Sequence, residues 1–417
     1  MKVNLKTSLN DSHIDASQGN TQRQVAISLS AVAESSDRTL PLNLGLILDH
    51  SGSMTGKPMT TVKEAAMRLV EGLGPSDRLS VIAFDHRAKV IVPNQDVDDI
   101  DRVKALINKL KAAGGTSIDE GMKLGIKETA LGKDDRVSQI FLLTDGENEH
   151  GDNKRCLKLA QVAAEYNITL NTLGFGNHWN QDVLESIADA VGGTLCYIEQ
   201  PEQALTEFSR LFTRIQSVGL TNAYLCLEFT PEVRLAEFKP VAQVEPETVE
   251  LKAQLEGNTY VVRLGDLMTE KARVILVNLY LSQLSTGNHT IGTVQVRYDD
   301  PAVYKTALVS EKIPLTVEVQ STYEPKVDSN VQKSILTLAK YRQTQLAEAK
   351  LNQGDRLGAA TLLQTAAKTA LQLGDKSAAT VLQTNATQLQ AGEELSEAQR
   401  KKTRMVSKTV LQSDPDA

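Results

Sequence analysis

The stretch Leu44–Met54, L-G-L-I-L-D-H-S-G-S-M, decides how the rest of the chain is read. Leu44 to Leu48 form an apolar run, too short to span a membrane and suited to a strand buried on both faces of a parallel sheet. The run stops at Asp49. Ser51, Gly52 and Ser53 make a polar turn, and Lys57-Pro58-Met59 opens a segment in which Val62, Ala65, Ala66, Leu69, Val70 and Leu73 recur at helical spacing. A buried strand thus delivers one carboxylate and two hydroxyls to its C-terminal end, just ahead of a helix. In open α/β sheets ligands bind there. All three side chains are hard oxygen donors, so the first ligand to consider is a small hard cation.

Outward from that stretch, residues 43–216 alternate strand and helix, which predicts a doubly wound parallel sheet with helices on both faces. Strand patterns fall at Arg78–Phe84, Ala88–Val92, Gln139–Thr144, Thr169–Phe175 and Thr194–Ile198. Helical patterns fall at Asp98–Lys111, Ile118–Ala130, Cys156–Tyr166, Gln181–Val191 and Gln203–Ile215. Residues 1–42 hold two alternating stretches, Val3–Thr7 and Gln24–Val32, and two strands cannot bury a face alone. Residues 217–322 alternate or are β-branched, with turn signals such as Glu256-Gly257-Asn258 and Thr286-Gly287-Asn288, as in an antiparallel β-sandwich. The N-terminal strands are natural members of that sandwich, which makes the α/β domain an insertion within it. Residues 323–412 read as a helical bundle rich in Ala, Leu, Gln and Lys. The separators Gln353-Gly354-Asp355, Leu373-Gly374-Asp375 and Ala391-Gly392-Glu393 each supply a glycine stop and an acidic start. Residues 413–417 read as a tail.

Composition narrows the class. A chain of 417 residues exceeds what one core holds. A net charge of −7 without a basic block gives nucleic acid no obvious footprint. The first residues lack the apolar core of a signal peptide. No stretch is apolar enough for a membrane helix. Cys156, Cys196 and Cys226 are odd in number and lack a C-x-x-C, so they read as reduced packing residues in a cytoplasmic protein.

Three loops then converge. In a sheet whose order reverses beside its first strand, the strands ending at Asp49 and Asp145 are neighbours, provided Ala88–Val92 is an antiparallel edge strand. Thr116, in Ala113-Gly114-Gly115-Thr116-Ser117, reaches the same crevice. The set is Asp49, Ser51, Ser53, Thr116 and Asp145: two carboxylates and three hydroxyls, without the Cys or His that zinc favours. Five oxygens suit a partly hydrated Mg²⁺ better than a dedicated Ca²⁺ cage, with Ca²⁺ or Mn²⁺ as substitutes.

D-H-S-G-S at Asp49–Ser53, G-G-T-S at Gly114–Ser117 and T-D-G at Thr144–Gly146 resemble the three loops of a von Willebrand factor type A (VWA) domain. The resemblance covers roughly residues 43–215; the split β-sandwich and helical C-terminus are similar to bacterial intracellular multidomain members. It implies a metal-ion-dependent adhesion site with Asp49, Ser51 and Ser53 from the first loop, Thr116 from the second and Asp145 from the third. It also implies that the metal's open position takes an Asp or Glu of a partner, and that the last helix, here Gln203–Ile215, shifts with affinity. The expected function is therefore a non-enzymatic protein-binding module. Rival readings are a self-assembling structural protein using the same site, an adaptor for an AAA-type ATPase, and a Mg²⁺-dependent phosphatase. The last lacks its second Asp, since that position is Ser51. His50, Glu147, His178 and Trp179 are candidates for a rim that selects partners, Trp179 as an anchor and Glu147 by charge.

Overall fold

In the computed structural model the described residues are 2–32, 40–133, 136–176, 178–269 and 271–409. The apolar run after residue 43 becomes the Leu42–Asp49 strand, buried at every position. It lies in the middle of a six-stranded sheet in the spatial order Ala88–Asp96, Arg78–Phe84, Leu42–Asp49, Val137–Thr144, Thr169–Phe175, Leu195–Ile198. Every pair is parallel except Arg78–Phe84 with Ala88–Asp96. The edge strand is thus antiparallel, and it runs four residues beyond the expected Val92. Leu42–Asp49 and Val137–Thr144 are neighbours in register Leu46↔Phe141 and Leu48↔Leu143, so Asp49 and Asp145 leave the sheet side by side.

Side-chain alternation along the central strand feeds two cores. Leu44, Leu46 and Leu48 pack with Val62, Ala66, Val70, Ile107, Phe208 and Leu211 on one face. Ile47 packs with Met122, Ile126, Ala160, Leu184 and Ile187 on the other. Helix Ile118–Ala130 approaches the sheet closely through its glycines: a Cβ on Gly121 would come within 2.8 Å of the Phe84 ring, and one on Gly125 would collide with Ile47. That approach fixes the loop just before this helix, which carries Thr116.

The sandwich draws on both flanks of the insertion. One sheet runs Lys2–Leu9, Asn20–Val32, Arg273–Ser282, Val241–Glu245, Val249–Leu251. The other runs Ala253–Glu256, Thr259–Met268, Val218–Phe229, Gly287–Asp300, Ile313–Gln320, His13–Asp15. The VWA-like domain leaves from Asn20–Val32 in the first sheet and returns into Val218–Phe229 in the second. Pairing is antiparallel with one exception, Ile313–Gln320 beside His13–Asp15, which is parallel. The sandwich docks at the foot of the α/β sheet: Asp266 Oδ2 accepts from Gln139 Nε2 at 2.7 Å and Thr169 Oγ1 at 2.9 Å, both at strand N-terminal ends. The metal-type loops lie at the other end.

Helices Ser329–Asn352, Arg356–Gln372, Lys376–Gln390 and Glu397–Lys408 form the C-terminal module. Gly354 (φ 80°) and Gly374 (φ 79°) take the left-handed conformation that ends a helix. Asp355 and Asp375 cap the helices that follow, accepting from Gly358 N at 2.8 Å and Ala378 N at 2.9 Å. The third separator departs from expectation. Gly392 (φ 86°) stops the helix, but the next is capped by Ser396 in a reciprocal box with Gln399, not by Glu393. The first helix of the module buries Val331, Leu338 and Tyr341 against Ala242, Val244 and Leu276 of the sandwich. The last returns to helix Gln181–Val191 of the α/β domain. Among the described residues no helix is long and apolar enough to cross a membrane.

Candidate metal and partner site

The site grows from the end of the central strand. Asp49 is wholly buried. Its Oδ1 accepts from Ser51 N at 2.8 Å and its Oδ2 from Thr144 Oγ1 at 2.5 Å. Ser51 Oγ lies 3.0 Å from Ser53 Oγ, and Ser53 Oγ donates to Asp145 Oδ1 at 2.7 Å. Thr116 is also buried, and a Cβ built on Gly146 would sit 3.3 Å from Thr116 Oγ1 and 3.6 Å from Ser53 Oγ. All five expected oxygen-bearing side chains therefore converge on one crevice. Backbone bonds lock the loops together: Gly52 N to Gly114 O at 2.9 Å, Ala113 N to His50 O at 2.8 Å, and His150 N to Thr116 O at 2.9 Å.

The electrostatics follow from burial. Loss of water pushes the Asp49 carboxyl up to about 6, against the bonds from Thr144 and Ser51, and Asp145 nearby adds to the rise. Burial also raises Asp145, opposed by the Ser53 hydroxyl and the charge of His178. Two desolvated carboxylates bridged by hydroxyl donors form a cradle that a cation would relieve. The donor set is all oxygen, which fits a hard divalent ion. Among the described residues no cluster of three or more His, Cys, Asp or Glu offers a different metal centre.

Comparison with known proteins places these loops. Residues 43–210 match the family model of the von Willebrand factor type A domain, and residues 329–413 match that of the Sll0103-like C-terminal alpha-helical domain. The Synechocystis protein sll0103 is 62% identical over 412 residues, covering 99% of this chain and 98% of that protein. The chain belongs to the Sll0103-like family of VWA-domain proteins. A solved von Willebrand factor type A protein from Catenulispora acidiphila shares the fold at TM-score 0.82 and 18% identity, covering 98% of this chain and 97% of that one. The rat inter-alpha-trypsin inhibitor heavy chain H3 is 25% identical over 202 residues, covering 45% of this chain and 22% of the relative.

The rim of the VWA crevice differs from expectation at two of four positions. Glu147 and His178 are exposed beside Asp145. Trp179 is not a surface anchor. It is 2% exposed, donates from Nε1 to Gly176 O at 2.8 Å and tilts against Tyr197 with ring centroids 5.6 Å apart. It packs so tightly over Gly174 that a Cβ there would collide with it. His50 is 6% exposed, with Nδ1 3.2 Å from Lys111 O, so it braces the second loop instead of meeting a partner. Two further residues bear on the site. Thr144 lies inside the T-D-G motif, and the hint of its role was that a strand-end hydroxyl sits beside Asp49 once the strands are paired. Lys401, whose Nζ donates to Trp179 O at 2.8 Å, sits 222 residues away from it in sequence and left no local signal.

Proposed function

We propose that the VWA domain of this chain is a non-enzymatic, metal-dependent protein-binding module. In this reading Asp49, Ser51, Ser53, Thr116 and Asp145 hold Mg²⁺, with Ca²⁺ or Mn²⁺ able to replace it, and an Asp or Glu of a partner protein takes an open position. The observation that carries it is the convergence of these five side chains with only two carboxylates among them. A set this poor in anionic ligands leaves the ion room for another carboxylate, and a charge-assisted contact of that kind is directional and strong for its size.

The site chemistry supports a binding role over hydrolysis. Ser51 and Ser53 are engaged with each other and with Asp145, and the nearest imidazole in sequence, His50, faces a backbone carbonyl. The histidine base that a serine hydrolase pairs with its nucleophile is therefore not supplied by His50, and the carboxylate that accepts from Ser53 is Asp145, which this reading assigns to the ion. The three cysteines are unpaired, in accord with a reducing, cytoplasmic setting.

The test is a pull-down with wild type, Asp49→Ala and Ser53→Ala in MgCl₂, together with Mn²⁺ titration by calorimetry. Wild type should bind Mn²⁺ and recover partners that both variants lose. Equal recovery by all three removes the crevice as the binding surface. Size-exclusion with and without EDTA decides between a foreign partner and a second copy of this chain.

A further inference from the structure

The last helix, Glu397–Lys408, carries five cations, Arg400, Lys401, Lys402, Arg404 and Lys408, against one anion, Glu397. Two of the cations, Arg404 and Lys408, pair with helix Gln181–Val191. Arg404 Nε lies 2.6 Å from Glu185 Oε2, and Arg404 also pairs with Asp182. Lys408 Nζ lies 3.0 Å from Glu185 Oε1 and 2.7 Å from Asp189 Oδ1. Positions 401, 404 and 408 are spaced three and then four residues apart, as are 182, 185 and 189. Each set lines one face of its helix. The contact is charged at its centre, where the Lys408 and Glu185 side chains are each 4% exposed.

Lys401, one turn before Arg404 on the same face, reaches Trp179 instead. Its Nζ donates to Trp179 O at 2.8 Å and stands 4.3 Å above the Trp179 ring. Glu147, two residues from Asp145, is close enough for its charge to act on Lys401. His178, adjacent to Trp179, acts in the same way on Asp145. A strongly basic helix is thus seated against the Trp179 loop and near Glu147 in the loop that carries Asp145.

We propose that the C-terminal helix is a releasable clasp that opposes metal occupancy of the VWA crevice. This rests on the metal-site reading above. A docked helix of net charge +4 raises the potential at a neighbouring cation site. Undocking removes that charge, uncovers Asp182, Glu185 and Asp189, and favours the ion. Coupling of binding equilibria is reciprocal, so the ion in turn loosens the clasp. Trp179 is exposed in the process, and the acidic face left behind suits a basic segment. Salt weakens the coupling through the exposed part of the seam and leaves its buried centre less affected.

The chain's single tryptophan reports the clasp directly. In the full-length protein, acrylamide quenching of Trp179 and Mn²⁺ affinity by calorimetry are measured at low salt for wild type, Arg404→Glu and Lys401→Met. Arg404→Glu should raise quenching and tighten Mn²⁺ binding by about fivefold. Mg²⁺ added to wild type should raise quenching as well, and should not do so in Asp49→Ala. If Arg404→Glu fails to fold by circular dichroism, Lys401→Met, which spares the Arg404 and Lys408 pairs, decides by the same two readouts. Higher quenching with unchanged Mn²⁺ affinity overturns the coupling and leaves the metal site standing. Unchanged quenching in both variants overturns the clasp. Failure of wild type to bind Mn²⁺ more tightly than Asp49→Ala overturns the metal reading itself.

Discussion

Asp49 shows what it costs to hold a carboxylate at the end of a fully buried strand. Its carboxyl is raised from 3.8 to about 6, chiefly by loss of water. An acid raised on folding contributes its full stability below the unfolded value and loses it as pH climbs through the folded one. The metal-free protein should therefore lose about 2 kcal/mol between pH 4 and pH 7 from this residue alone. Asp49→Asn removes the charge and keeps an oxygen for Ser51 N. Its urea midpoint without metal should exceed that of wild type at pH 7 and equal it at pH 4. Saturating MgCl₂ should stabilise wild type at pH 7 and leave Asp49→Asn unmoved, because the ion needs the deprotonated oxygen. A variant less stable than wild type at both pH values would mean that the carboxylate is not under strain.

At the scale of elements, two turns of the same sequence differ in what they hold. Gly354-Asp355 and Gly374-Asp375 both stop one helix and cap the next. Asp355 is exposed and pairs only with exposed Lys350. Asp375 faces Lys340, whose side chain is 2% exposed and whose Nζ also donates to Val406 O at 3.0 Å and Thr409 O at 3.2 Å. Asparagine caps as well as aspartate, so Asp355→Asn should leave the urea midpoint where it was. Asp375→Asn keeps the cap but leaves Lys340 short of its counter-charge. It should cost about 3 kcal/mol, measured by urea unfolding of the whole chain. Equal effects would show that Lys340 is satisfied by the two carbonyls alone.

The same contrast explains what the sequence made legible. Strand order, the insertion and the convergence of five oxygens followed from signals local to each element: buried apolar runs, alternation, glycine turns and strand-end polar residues. Nothing local to Lys340 signals its burial, because its partners lie 35 to 69 residues later. Trp179 reads as an exposed loop aromatic, and one part of its cover, Lys401, lies 222 residues later. Periodicity reports which face of an element is apolar. It carries nothing about a charged face that finds its counter-charge in another module.

Across the whole molecule, the VWA domain is held at two places by different physics. At its foot, two chain crossings and the buried Asp266 bonds to Gln139 and Thr169 tie it to the sandwich, with Arg273 donating to Asp266 O at 2.9 Å from the sandwich side. At its flank, a mostly charged helix leans on it, with Met405 its one side chain packed at the margin of the α/β core. The first joint is continuous with both cores, since Val218 packs in one and Leu220 in the other. The second adds little apolar burial. Removing residues 396–417 should therefore leave the VWA domain and sandwich folded as one cooperative unit with a lowered thermal midpoint. The helical module should loosen, because Lys340 loses the two carbonyls that accept from it. Hydrogen exchange should show that order: faster exchange over 329–390 and at Trp179, with the central strand Leu42–Asp49 and the sandwich strand Val218–Phe229 protected as before. If the central strand exchanges faster by the same factor as the helices, the last helix belongs to the core of the VWA domain and is no detachable part of it.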